Sequence, residues 1–235
     1  YPVEIQALWH SALSLLSAED DSRDWSGLAD QVRSSIAELF PRRAARDTLF
    51  FLSDCLHASR GRAARDAAAD DHLRPNQLLA LTLGAVTDGK LCRGVLRACE
   101  ELLVPGAVRS LADRPVEHLL AVEHRGGLLN DPSSPYWGKY SGDEDTRRKP
   151  AYHNGTAWTW LFPSYCEAMH LTYGEEARGV ATALLLSSLA LLEKGCIGQI
   201  PELLDGDSPH AQKGCGAQAW GVSEFLRLLA ILTGK

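Results

Sequence analysis

The chain has 235 residues, 45% of them hydrophobic and 23% charged, an ordinary globular composition that excludes a disordered or fibrous class. Its formal net charge of -6 excludes the clustered positive field that a nucleic acid or an anionic membrane requires, and favours a neutral or cationic ligand. The longest nearly apolar run, GVATALLLSSLALLEKG, is too short and too interrupted by serine and threonine to predict a membrane span, so neither class of partner is expected.

Taken in chain order, apolar residues recur at helical spacing. In residues 3–16, Ile5, Leu8, Trp9, Ala12 and Leu16 keep to one face, and residues 24–40 repeat the pattern through Leu28, Val32, Ile36 and Leu39. Further helices are predicted over 75–85, with Pro75 in the first turn, and over 88–103, 155–174, 175–195 and 219–232. Asp24 and Asp88 stand at N-cap positions, Gly174 and Gly195 at C-cap positions. DTLFFLSD and GAVRSLA are the two strand candidates. Two short basic runs, Arg42, Arg43 and Arg46 and then Arg147, Arg148 and Lys149, lie in polar connections and read as solvated surface.

Three long connections, SRGRAARDAAADDHLR, NDPSSPYWGKYSGDEDTRRKPAYHNG and CIGQIPELLDGDSPHAQKGCG, hold too many aromatic, histidine and amide residues to be disordered. The pattern predicts an all-α chain of helical hairpins with elaborate loops gathered at one mouth. An α/α toroid has that form, and the seven predicted helices would make an incomplete ring. The chain begins at Tyr1-Pro2 and enters a helix at once, so it reads as a piece of something longer.

Six cysteines are dispersed without a C-x-x-C pair, which favours free thiols in a cytosolic protein over a disulfide framework or a zinc site. Neither a Gly-rich phosphate loop nor an HExxH pattern is present, so no cofactor and no metal are expected.

Three segments carry candidate chemistry. DDHLRPNQ, residues 70–77, is either a capped helix start or a set of donors, Arg74, Asn76 and Gln77, aimed at hydroxyls or a carboxylate. In AYHNGTAWTW, residues 151–160, two tryptophans two apart cannot share a helical face. Tyr152, His153, Asn154, Trp158 and Trp160 then suit a sugar site, where flat rings stack on pyranose faces and amides pair with hydroxyls; the alternative is a core tryptophan with a satisfied histidine beside it. In GQIPELLDGD, Glu202 follows Ile-Pro beside apolar Ile200 and Leu203, with Asp205 and Asp207 nearby. It is either a partly desolvated functional carboxylate or one acid of a solvated loop.

PVEIQALWHSAL, DDHLRPNQLLALTLGAV, YHNGTAWTWLFPSYCEA and GQIPELLDGDSPHAQKGCGAQAW resemble, in this order, the signature blocks of the C-terminal, amylo-α-1,6-glucosidase domain of glycogen debranching enzymes. The resemblance implies an (α/α)6 toroid similar to glucoamylase, acting in the cytoplasm on branched α-glucan, glycogen or limit dextrin, by hydrolysis of α-1,6-linked glucosyl stubs with inversion. It implies that Glu202 is the general base and that Asp205 helps to orient groups around it. The general acid would be an aspartate of a TWMD-like block ahead of PVEI, outside residues 1–235, and this chain alone would be inactive. Such a partial ring would expose apolar inter-helix surface and self-associate. AWTW in place of VWPW, CGAQAW in place of CPAQAW, and His10 where a tyrosine is common depart from the family pattern. Two rival readings are a non-catalytic carbohydrate-binding module, against which the retained IPE weighs, and a trehalase-like hydrolase.

Overall fold

The computed structural model describes residues 1–43 and 50–235. Arg46 of the first basic run and the opening residues of DTLFFLSD lie outside the described residues. The chain divides into two compact units, Tyr1–Ala98 and Cys99–Lys235.

The first unit opens with α1, Val3–Glu19, and α2, Trp25–Leu39. Asp24 caps α2 by accepting from the Gly27 amide at 2.8 Å, which satisfies one of the orphan donors of a helix start. α1 buries Val3, Ala7, His10 and Leu13, one residue per turn along one stripe. This corrects the sequence reading of its apolar face, because Ile5, Leu8 and Trp9 are 51%, 49% and 48% exposed. The helix has two apolar stripes, and the one with the smaller residue, Ala7, is the one that lies in the core. Four short strands follow: β1, Pro41–Arg43, paired with β2, Phe50–Leu52, and β3, Leu56–His57, paired with β4, Ala68–Ala69. The first residues of the chain lie along the segment between β2 and β3, with the Val3 amide donating to Asp54 O and the Leu56 amide to Tyr1 O. A turn of tight helix at Pro75–Gln77 leads into α3, Leu78–Thr82, and α4, Gly89–Cys99, follows with Asp88 accepting from the Leu91 amide at 2.8 Å.

The second unit contains β5, Leu103–Val104; β6, Ala107–Arg109; β7, Glu123–His124; β8, Gly127–Leu128; α5, Lys149–Tyr152; β9, Ala157–Trp158; α6, Leu161–Tyr173; α7, Glu175–Ser187; β10, Leu203–Leu204; β11, Gln212–Lys213; and α8, Ala219–Thr233. Five of these strands form one antiparallel sheet in the order β11-β10-β9-β6-β5. Trp158 pairs with Val108 on one side and Leu203 on the other. Val104, Ala107, Ala157 and Leu204 are buried together, with Leu191 packed against them.

This sheet overturns the all-α expectation: the chain is mixed α/β, with eight α-helices among the described residues and a five-stranded antiparallel sheet. The all-α toroid is therefore not the description of this fold. Strands of two or three residues offer almost no alternation for a sequence pattern to register, and Leu203-Leu204 reads as a loop between helices. Each of the seven predicted helices has a counterpart, and GAVRSLA contains β6. GTAWTW is strand β9 followed by a helix start, so the tryptophan spacing of two belongs to extended chain. Gly174, at φ 70°, closes α6 and admits α7 at once. Arg227 of α8 forks onto Glu167 of α6, Nη1 to Oε1 at 3.0 Å and Nη2 to Oε2 at 2.5 Å. Cys92, Cys99 and Cys166 are buried, Cys196 and Cys215 are exposed, and all six cysteines are free thiols. No helix among the described residues is long and apolar enough to cross a membrane.

Candidate active site

In the second unit Glu202 stands immediately before β10, where the neighbouring strands fix its backbone. Its amide donates to Cys215 O at 2.8 Å, and its carbonyl accepts from the Thr159 amide at 3.4 Å. The Thr159 hydroxyl also donates to Pro201 O at 2.6 Å, so the residue that stands in place of a family proline adds two bonds to the Pro201-Glu202 turn. The other proline replacement, Gly216, leaves room for a thiol: a Cβ there would lie 2.6 Å from Cys196 Sγ.

The half-buried Glu202 carboxylate accepts two hydrogen bonds. The Cys215 amide donates to Oε2 at 2.8 Å, and the Tyr152 hydroxyl donates to Oε1. Gly214 makes this possible, because it adopts φ 66° and a Cβ there would sit 2.4 Å from Glu202 Oε2. Burial, reinforced by the bond to Glu202, pushes the Tyr152 phenol well above its usual range, so it stays a donor. Both donors fix the orientation of the carboxylate.

Tyr152 ends α5, and its carbonyl accepts from Trp158 Nε1 at 3.0 Å and from the Thr156 hydroxyl at 2.7 Å. Its ring meets Trp158 edge-on, centroids 4.7 Å apart, and lies 5.7 Å from Tyr140. Trp158 is 7% exposed, and His153 lies parallel to it at 5.4 Å. Trp158 is thus a wall behind Tyr152, and the exposed ring of the pair is His153. Asn154 turns inward: its amide donates to Pro150 O at 2.9 Å, and its carbonyl accepts from the Trp137 amide. Asp205 is buried, with Oδ1 accepting from the Tyr140 amide at 2.8 Å and Oδ2 lying 3.9 Å from Lys213 Nζ. Trp160 stacks on Trp220 at 3.9 Å. Two arginines of the basic run lie over rings, Arg147 over Trp137 and Arg148 over Tyr140, beyond their expected role as solvated charge.

Arg74, Asn76 and Gln77 belong to the first unit, and the first two gather around Asp54. Arg74 Nε is 3.5 Å from Asp54 Oδ2, and the Asn76 amide donates to Oδ1 at 2.8 Å. Burial raises the Asp54 carboxyl and lowers the Arg74 guanidinium, each partly offset by the other. Glu4 is raised as well, by burial first and by Asp54 among the charges. Asp70, 1% exposed, accepts from the amides of Asp54 and Cys55, and His57 Nε2 lies 3.0 Å away. Gln77 is 1% exposed; its carbonyl accepts from the Leu52 amide at 2.9 Å and its amide donates to Arg74 O at 2.8 Å. Among the described residues, no three His, Cys, Asp or Glu side chains gather as a metal set.

The structure therefore brings Glu202, Tyr152, His153 and Trp158 together, places Asn154 and Asp205 in supporting positions, and groups Arg74, Asn76 and Gln77 in the other unit. Sequence reasoning missed Asp54, Tyr140 and the Cys215 amide. Asp54 lies in a strand-like stretch, and a backbone donor has no side-chain signature.

A search of curated proteins finds no match to this chain. The family described as amylo-alpha-1,6-glucosidase matches residues 1–123 and 127–227, nearly the whole length. The chain belongs to the amylo-alpha-1,6-glucosidase family.

Proposed function

We propose that this chain supplies the water-activating carboxylate of a glycoside hydrolase that removes α-1,6-linked glucosyl stubs from glycogen or limit dextrin with inversion. The observation that carries this reading is the Glu202 carboxylate itself, fixed between the Tyr152 hydroxyl and the Cys215 amide. A base must be ionised and aimed. Two donors, with no ionic partner at hydrogen-bond distance among the described residues, aim the carboxylate and leave lone pairs for a water.

In the inverting reaction Glu202 takes a proton from a water as that water attacks the anomeric carbon. A carboxylic acid on the opposite face protonates the departing oxygen, with the two carboxyl groups roughly 6.5 to 9.5 Å apart. The family resemblance assigns that acid to an aspartate of a TWMD-like block outside residues 1–235. His153 and Tyr152 line the glucosyl position, while Trp158 and Asp205 hold Tyr152 and Tyr140 in place. Arg74 and Asn76, anchored by Asp54, are hydroxyl-binding groups of the first unit, and Gln77 serves its backbone. Glycogen as substrate and six free thiols fit a cytoplasmic protein.

The test is glucose release from limit dextrin by a polypeptide that joins this sequence to the acid-bearing block, with and without Glu202→Gln. The expected loss is roughly 10²- to 10⁴-fold with an unchanged melting temperature, and residues 1–235 alone release no glucose. A loss of less than about threefold, or binding of maltose-type sugars without any hydrolysis, returns Glu202 to a structural role.

A further inference from the structure

Two thiols border the turn that holds the Glu202 carboxylate. Cys196 and Cys215 are exposed, whereas Cys92, Cys99 and Cys166 are buried, and burial pushes those three thiols up and keeps them inert. Burial raises the half-buried Cys55 as well. The accessible sulfur chemistry of the chain therefore rests with one pair.

Gly216 brings that pair together. Cys196 Sγ lies 2.6 Å, and its Cβ 3.5 Å, from the place that a Cβ on Gly216 would take. From the other side, Cys215 folds its thiol across the same glycine and donates to Ala217 O at 3.3 Å. The turn that carries Cys196 is held here independently, because Gly195 lies against the side chain of Gln212, whose amide donates to Leu191 O at 2.9 Å.

Cys215 is also tied to Glu202 on both sides of its peptide. Its amide donates to Glu202 Oε2 and its carbonyl accepts from the Glu202 amide, each at 2.8 Å. Gly214 and Gly216 flank it, and at glycine the backbone turns most readily.

We propose that Cys196 and Cys215 form an oxidative modification site, a dithiol that a low-molecular-weight disulfide such as oxidised glutathione converts to an intramolecular disulfide. One cysteine thiolate attacks a sulfur of the small disulfide and expels a small thiol; the other then attacks the protein sulfur of the mixed disulfide and expels the second. Both protein thiol protons and two electrons pass to the small thiols, and one S–S bond replaces another. Closing the bond takes the Cys215 sulfur away from Ala217 O and turns the residue that holds Glu202 Oε2, so oxidation lowers hydrolysis. That last effect rests on the reading of Glu202 given above; the disulfide does not.

The test treats residues 1–235 with oxidised glutathione and maps the products by mass. A Cys196–Cys215 crosslinked peptide is expected, lighter by the two thiol hydrogens and reversed by dithiothreitol, while Cys196→Ser keeps glutathione on Cys215 as a mixed disulfide. In Gly216→Ala, whose new Cβ displaces the Cys196 sulfur, crosslinking should slow by about tenfold. A lasting mixed disulfide in the wild type, a crosslink to Cys55 or to a second chain, or an unchanged rate in Gly216→Ala overturns the proposal. In the polypeptide that also carries the acid-bearing block, crosslinking should cut glucose release about tenfold, with recovery under dithiothreitol. Full release by the crosslinked form overturns the link to Glu202. A reduced polypeptide that releases no glucose counts against the reading of Glu202 instead, and the crosslink is still read by mass.

Discussion

The Tyr152 hydroxyl donates a hydrogen bond to Oε1 of Glu202, joining the end of a four-residue helix to a turn fifty residues further along the chain. The phenol fixes the orientation of that oxygen, so its removal frees the carboxylate to turn away from an attacking water. In the polypeptide that also carries the acid-bearing block, Tyr152→Phe is expected to lower kcat with KM and melting temperature little changed. Glucose release near neutral pH should fall by about tenfold. A loss of activity that comes with an equal loss of stability would make Tyr152 a packing residue only.

Gly214 is the counterpart on the other oxygen. At φ 66°, with space for a Cβ already taken by Glu202 Oε2, Gly214→Ala meets both backbone strain and a clash. Urea unfolding should show a loss of about 1–3 kcal/mol. The same variant should lose glucose release, because the carboxylate has to leave the Cys215 amide.

Gln77 separates a binding role from a structural one. Gln77→Leu keeps the volume but strands the buried Leu52 amide and the Arg74 carbonyl, at about 1–3 kcal/mol for each. Denaturant midpoints should therefore fall markedly. Asn76→Ala, which removes a half-buried donor to Asp54, should shift them less.

His10 gives stability a pH dependence of known sign. It is 3% exposed, and burial first and Arg33 second lower its pKa, with Asp30 opposing them. As pH falls below the unfolded value of about 6.5, the unfolded chain binds a proton that the folded chain refuses, so stability declines toward the lowered folded value. Between about pH 7 and about pH 5 the wild type should lose melting temperature more steeply than His10→Gln. Parallel curves would remove His10 from the account. Glu4, whose pKa is raised, acts with the opposite sign and is common to both proteins.

The long helices were legible because each repeats its apolar residues over several turns. The choice of stripe on α1 was not: hydropathy favours Ile5, Leu8 and Trp9, but the stripe through Ala7 and His10 packs in the core. The five-stranded sheet escaped because no strand in it exceeds three residues, and the pairings that join it, β6 with β9 and β9 with β10, link strands far apart in sequence. Tyr152 and His153 were candidates from residue type and position, whereas residue type left Glu202 open between a functional and a solvated carboxylate and only the family resemblance gave it the role of base. Their support was not legible, because it comes from a backbone amide at Cys215, a left-handed glycine at Gly214, and a tyrosine, Tyr140, on a different loop.

The pairing of Leu203 with Trp158 has a consequence for length variation in this protein. The interval between the two residues includes both α6 and α7, and it can lengthen at the exposed Gly174 turn without moving Glu202 along β9. One residue added between Glu202 and Leu203 would slide the acid by about 3.3 Å, further than a hydrogen bond tolerates. Insertional tolerance here is set by strand register and not by sequence distance from the acid, so a linker or reporter belongs at the α6–α7 corner, not near Pro201.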